Sequence, residues 1–506
     1  MKRTTTPAPT TDPDLVTAAL AGRLRTVADV LVPDAPAATG RHAADVGTLL
    51  ATLVEAAAAA DGTSTTWLLL VGLTGSFPTD AQVRSARRRV TTAAPAEAAA
   101  WLLERTLGAA RWSDLLVQLE VLTDAVVVDV DFSARHDLNT GIQRVVRSTL
   151  PRWHRDHDVT PVAWTPTLAM RRLDAVETGR VLAWRGPAGE PPRVRSSRRV
   201  LVPWRSTVVL PEVPAPHLCS TLASLAEHSG NTVGVVGYDC IPVVSADLMP
   251  PIEPERFARY LTIIKHAHRV SGISASAAEE FRGFVDMLPA QGLGGPAVTD
   301  CPLPVDIPSS LATPAPVRDG DPLVVVVGSH EPRKNHLAVL HAAELLWREG
   351  LRFELRFIGG SSWASAPFDA AVRRLRRAGR RVAVGRAVRD EDLWNAYRTA
   401  RFTVFPSLHE GFGLPVAESL AVGTPAITSS FGSTAEVAAD GGTLLVDPRD
   451  DADLTAAMRR LLTDADLVQD LAAAAAARPR RTWDDYAGES WAQLVPATAR
   501  PEEARR

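Results

Sequence analysis

Cysteine is nearly absent from this chain: there are 3 in 506 residues. Cys219, Cys240 and Cys301 stand apart, with no CxxC pair and no even framework. That excludes a disulfide scaffold, argues against a structural zinc site, and points to a reducing compartment. Charge of one sign is also missing. Lys and Arg number 55 against 58 Asp and Glu, a formal net charge of −3, so nothing global favours a nucleic-acid partner. No apolar run reaches the ~18 uninterrupted residues of a membrane span. The opening MKRTTTPAPTTDPD has a basic start but no apolar segment behind it, so residues 1–13 read as a disordered tail rather than a signal peptide. The expected compartment is the cytoplasm.

What is present is enough chain for two or three domains. Residues 14–122 are rich in Ala and Leu at helical spacing, as in VGTLLATLVEAAAAA, and predict a helical N-terminal region with no evident chemistry. The pattern changes at AVVVDVDF. Over 123–305, short β-branched runs (VTPVAW, RRVLVPW, STVVLPEV, TVGVVGYD, HRVSGIS, AVTDCPLPV) follow one another, several with helical segments between them. A linker rich in Pro, Ser and Ala spans 306–321. A second alternating set, PLVVVVGS to GTLLVD, occupies 322–480, and 481–506 reads as a C-terminal helix and tail. Alternation of this kind predicts an α/β protein with two Rossmann-like, doubly wound domains facing across a cleft, plus the helical N-terminal extension. Ligands are expected in that cleft, at the C-terminal ends of the strands.

Three stretches of the second set converge there. In VVVVGSHEPRKNH, a strand runs past Gly328 to Arg333 and Lys334 just ahead of a helix, where cations and free N–H groups suit a pyrophosphate. In FPSLHEGFGLPVAESLAVGTPAITS, a strand leads into a loop with Glu410, Gly411, Phe412 and Gly413. A helix follows from Leu414, with Glu418 about a turn inside it. The glycines let backbone amides approach a ligand. The two carboxylates would repel a diphosphate, so they are expected to face sugar hydroxyls. In GSTAEVAADGG, Ser433 and Thr434 followed by Glu436 read either as ligand contacts or as a helix cap. His136, His330 and His409 adjoin candidate loops without ligand spacing. Asp129 and Asp131 of DVD read as strand residues, not as a metal motif. The Arg-rich stretches 191–200 and 373–381 read as solvated. The alternative for both is contact with an anionic lipid-linked acceptor or the inner face of a membrane, that is, a peripheral association.

These residues resemble the retaining glycosyltransferases of family 4, which have the GT-B fold. GSHEPRKNH resembles that family's G-[ST]-x-E-P-R-K-N segment, and EGFGLPVAE its E-x7-E signature. DVDFSARHDLNTGIQRVVR resembles the opening of a subgroup that builds bacterial surface polysaccharides with mannose- or rhamnose-like donors. VVGYDCIPVVSADLMP resembles an H-D-x-x-P segment, with Tyr238 in place of the histidine. The resemblance implies that Arg333 and Lys334 neutralise a nucleoside-diphosphate leaving group, and that Glu410 touches the donor sugar and Glu418 the ribose. The amides of Gly411 to Leu414 would meet sugar and phosphate, Gly141 and Arg144 would lie at the cleft near phosphate or acceptor, and Asp239 would face the transferring sugar. It implies a metal-independent hexosyl transfer to a saccharide or lipid-linked acceptor, with no cofactor. A sugar-nucleotide 2-epimerase and a non-catalytic sugar-nucleotide-binding subunit are the rival readings.

Overall fold

The computed structural model describes residues 13–33, 43–109, 116–186, 197–308 and 320–496. The expected N-terminal tail, most of the linker and the first part of the 191–200 stretch lie outside the described residues.

Two sheets organise the chain. The first has nine strands: β1 Gln118–Leu122, β2 Val126–Asp129, β3 Val159–Trp164, β4 Met170–Arg172, β5 Arg199–Pro203, β6 Thr207–Leu210, β7 Thr232–Gly237, β8 Arg269–Gly272 and β9 Ala297–Asp300. Their order is β1-β5-β4-β3-β2-β6-β7-β8-β9. The second has six: β10 Leu323–Val327, β11 Glu354–Ile358, β12 Val382–Gly385, β13 Phe402–Phe405, β14 Ala426–Ser429 and β15 Thr443–Val446, in the order β12-β11-β10-β13-β14-β15. All pairs of the second sheet are parallel. That is the doubly wound order whose direction reverses between the first and fourth strands, here β10 and β13, and ligands bind at such a reversal. Runs such as Val324–Val326, no more than 1 % exposed, form central strands because β-branched side chains pack on both faces of a covered parallel sheet. Two facing doubly wound lobes are the GT-B arrangement.

The first region departs from expectation in two ways. Helices Pro13–Leu31, Ala43–Ala59, Ser64–Thr74, Asp80–Thr92 and Pro95–Ala109 are present, but the helical reading through Leu122 is corrected. Residues 118–122 form β1, parallel to β5 from Gln118↔Arg199 to Leu122↔Pro203. The period-two spacing of Leu119 and Val121 between Gln118 and Glu120 is a strand pattern that the preceding helical periodicity obscured. The helices also share one core with the first sheet, in which Leu24, Leu50 and Trp67 pack with Val127, Val162 and Val208. Arg23, 1 % exposed, joins these parts by donating to Gly72 O, Leu73 O and Val117 O. The other departure is β4, antiparallel to both neighbours.

Helix Trp483–Leu494 returns from the second lobe to the first. Trp153 Nε1 donates to Ala487 O at 2.9 Å, and Gln493 Nε2 donates to Asp300 O at 2.9 Å. The chain therefore passes between the lobes twice. Arg373, Arg374 and Arg377 of the second lobe are exposed.

Candidate active site

β10 and β13 are neighbours, with Val324 opposite Phe402, so the loops leaving their C-terminal ends meet. Leu408 N donates to Arg333 O at 2.8 Å across that meeting. Beyond β10, Gly328 lies under the methylenes of Lys334. Pro332–Lys334 then form a single 3-10 turn before helix His336–Arg348. Beyond β13, the chain turns at Gly413, whose φ of +102° favours glycine, into helix Leu414–Ala421 with proline in its first turn.

Glu410 lies where the two loops touch, largely buried between both cations. Its Oε1 accepts from Lys334 Nζ at 2.6 Å and from Ser407 Oγ at 2.6 Å, and its Oε2 lies 2.9 Å from Arg333 Nη1. Burial pushes this carboxyl up, but Lys334 and Arg333 overcome it and hold it at about 2. A depressed carboxyl stabilises the fold above its ordinary value of 4.5. That contribution is lost as pH falls from there towards 2. The cations thus meet a carboxylate where a leaving diphosphate was expected, and Glu410 has both oxygens occupied where sugar hydroxyls were expected. Arg333 also contacts Glu331 at 3.3 Å, while its Nε is buried without a hydrogen-bond partner.

Glu418 is 3 % exposed. Tyr397 Oη donates to its Oε2 at 2.9 Å, and Arg144 Nη1, from the first lobe, donates to its Oε1 at 2.9 Å. Beside Arg144, a β-carbon on Gly141 would lie 3.7 Å from Leu414 Cδ1. The resemblance implied that Gly141 and Arg144 lie at the cleft near phosphate or acceptor, and the geometry sets them against the E-x7-E helix. Phe412 is buried in a core shared by both lobes.

Asp239 follows β7 and faces Gly411. A β-carbon there would be 2.5 Å from Tyr238 O and 3.0 Å from Asp239 Oδ2. Burial, with Glu280 nearby, raises the Asp239 carboxyl to about 6 against the pull of Arg333. Tyr238 turns away, its Oη donating to Pro211 O at 2.7 Å. Asp129 ends β2, and Asp131 opens the next short helix rather than continuing the strand. Asp129 accepts from Trp164 Nε1 at 2.7 Å, and burial lifts it to about 8. Asp131 accepts from Trp164 N and pairs with Arg135.

The capping reading of Ser433, Thr434 and Glu436 is corrected. Helix Gly432–Ala438 has no side-chain cap. Glu436 instead reaches across to the N-terminus of helix Ala275–Val285, accepting from Ala275 N at 2.9 Å and Ser276 N at 2.5 Å. Ser433 Oγ donates to Glu410 O, and Ser274 Oγ of the first lobe to Gly411 O, both at 2.7 Å. Glu436→Ala is expected to cost about 0.5–2 kcal/mol, the usual loss of a helix N-terminal acceptor, measurable by urea denaturation.

Sequence reasoning missed Tyr397 and Ser407, and it found His409 beside a candidate loop with no role to give it. Tyr397 lies on helix Asp390–Thr399, away from the loops that the sequence singles out. His409 meets partners 164 and 129 residues away, which no local pattern encodes. A cavity of about 1030 Å3 lies behind the helix carrying Glu418 and is lined in part by Pro304, Ala421, Asp440 and Arg480. It touches neither Arg333 nor Glu410. Among the described residues, no helix is long and apolar enough to cross a membrane.

Residues 313–478 match the family of glycosyl transferases group 1. The chain is 27 % identical over 332 residues to the serotype-specific mannosyltransferase WbdA of Escherichia coli, covering 62 % of this chain and 39 % of that protein. It is 38 % identical over 139 residues to the O-antigen chain mannosyltransferase B of Escherichia coli, covering 27 % and 36 % respectively. The matches thus span well under half the length of these relatives. Among solved structures it is similar to WaaG, a glycosyltransferase involved in lipopolysaccharide biosynthesis, at 16 % identity and a TM-score of 0.49, covering 74 % of this chain and all of that one. The lobe that carries Arg333, Lys334, Glu410 and Glu418 thus matches the glycosyl transferases group 1 family, in a chain similar in part to two mannosyltransferases of Escherichia coli.

Proposed function

We propose that this protein is a retaining, metal-independent hexosyltransferase of family 4. It moves a mannose-like sugar from a nucleoside diphosphate to a hydroxyl of a saccharide or lipid-linked acceptor during polysaccharide synthesis at the cytoplasmic side of a membrane. The observation that carries this reading is the largely buried Lys334–Glu410–Arg333 cluster at the reversal point of the second sheet, with Asp239 of the first lobe near Arg333 and Arg144 of the first lobe on Glu418.

In this reading the diphosphate displaces part of Glu410's hold on Lys334 and Arg333. Two cations already fixed in a dry site stabilise the charge that develops as the bond from C1 to phosphate oxygen breaks. The acceptor oxygen attacks C1 from the same face, and its proton passes to the departing phosphate oxygen. Glu410, released from one cation, accepts from a sugar hydroxyl, and Glu418 does so from the ribose. Arg333 Nε is an unused donor for the ligand.

The test is incubation with UDP-, GDP-, ADP- and dTDP-sugars, with and without saccharide acceptors, after a thermal-shift screen for the donor that binds. Retained anomeric configuration in the product supports the proposal. Failure of every donor to bind or transfer overturns it, and an epimer formed from donor alone moves the assignment to a 2-epimerase. Because Lys334 and Arg333 supply the positive charge, and Asp129 and Asp131 are held by Trp164 and Arg135, EDTA is expected to leave the rate within about twofold. A loss restored by a divalent cation would contradict this.

A further inference from the structure

His409 lies between Leu408 and Glu410, and its side chain leaves its own lobe. Nδ1 is 2.8 Å from Ser245 Oγ, and Nε2 is 2.5 Å from Glu280 Oε1, both in the first lobe. Glu280 stands on helix Ala275–Val285, and its Oε2 accepts from Cys240 N at 2.5 Å, next to Asp239. The His409 carbonyl accepts from Arg333 Nη1 at 2.6 Å. One residue therefore touches the cation of the donor cluster with its backbone and the opposite lobe with both ring nitrogens.

We propose that His409 is a positioning residue, clasped by Glu280 and Ser245, that fastens the lobes in the closed arrangement in which Arg333 and Glu410 face Asp239. The role rests on the glycosyltransferase reading for its consequence in catalysis, but the clasp is a property of the lobes themselves. Among the described residues, hydrogen bonds across the cleft also join Arg144 to Glu418, Ser274 to Gly411 O, and Glu436 to the amides of Ala275 and Ser276. None of these depends on a group that titrates near neutrality, whereas an imidazole does.

The charged groups around the ring set the direction. Burial opposes the imidazolium. Glu280 and, behind it, Asp239 favour it, Arg333 opposes it, and the outcome lies above the ordinary 6.5. The Cys240 thiol, pushed up by burial, stays neutral, and Glu410 is held by its own two cations. A raised imidazole contributes fully below its ordinary value and loses that contribution as pH rises through the raised one. Closure should therefore weaken on the alkaline side.

Spin labels at R256C and R373C, both exposed and one on each lobe, report the interlobe distance in the full chain. In the otherwise wild-type protein a short distance is expected at about pH 6, with a longer population growing towards about pH 9. With His409→Gln, which keeps a hydrogen bond but cannot be charged, the longer population should be present throughout and independent of pH. In steady-state assays His409→Gln should lower kcat/KM on the order of tenfold at about pH 7. It should abolish the alkaline limb of the pH profile while leaving the acid limb in place. Glu280→Gln should shift the alkaline limb to lower pH, and it serves as the test should His409→Gln not fold. Distances and an alkaline limb like those of the wild type in both variants would overturn the clasp. If the wild type transfers no sugar, the functional reading fails, and the label distances still decide whether the clasp exists.

Discussion

Lys334→Met is expected to lower kcat by two to three orders of magnitude, the cost of about 2.7–4 kcal/mol that follows loss of one fixed donor to developing charge. Lys334 Nζ lies 2.6 Å from Glu410 Oε1 and 4.9 Å from the centre of the Phe405 ring. It is therefore a buried charge held by one carboxylate and one aromatic face. Removing it leaves Glu410 with one cation, Arg333, and the Ser407 hydroxyl, so the carboxyl should rise from about 2. Breaking a buried pair is also destabilising, typically by about 3–5 kcal/mol, and a lost rate could be read as lost folding. The double variant Lys334→Met, Glu410→Gln separates the two effects. Replacing both charges with neutral groups of similar shape is often close to neutral for stability, so its unfolding midpoint should recover towards that of the wild type while kcat stays low. Recovery of rate together with stability would show that the cluster serves the fold alone.

Gly411→Ala should disable the enzyme by a different route. The added methyl carbon would lie 2.5 Å from Tyr238 O and 3.0 Å from Asp239 Oδ2. Those are atoms of the opposite lobe, and one is backbone that cannot yield by a side-chain rotation. Within a single core such overpacking costs about 1–3 kcal/mol. Here the lobes can part instead, so the cost falls on the closed arrangement. The expected result is a fall in kcat/KM of roughly 5- to 150-fold, with a thermal midpoint close to that of the wild type and a longer interlobe distance. Donor affinity should fall less than kcat, because Arg333, Lys334 and Glu418 remain on their own lobe. A variant with normal rates would mean that turnover does not require Gly411 to approach Asp239.

These two expectations draw on information of different range. The ends of β10 and β13, the turn at Gly413 and the helix carrying Glu418 were legible because each is specified within a few residues. A β-branched run makes the strand, a glycine makes the turn, and a proline in the first turn starts the helix. That Arg333 and Lys334 meet Glu410 follows from the rule that such loops gather at the reversal of a doubly wound sheet. β1 was lost because five alternating residues lie behind a long helical pattern. Glu436 was misread because the spacing of a capping box says nothing about which helix lies nearest in space.

The sequence by itself determined the strands, the turns and the residue types that meet at the crevice, since backbone preference and periodicity act over a few neighbouring positions. Only the tertiary structure decided who faces whom. Glu410 takes Lys334 from 76 residues away, Glu418 takes Arg144 from 274 residues away, and Glu436 holds an amide 161 residues away in the other lobe. A charge buried by folding must find a partner wherever the packing brings one. Such pairings are set by the approach of whole lobes, which no local pattern of residues contains.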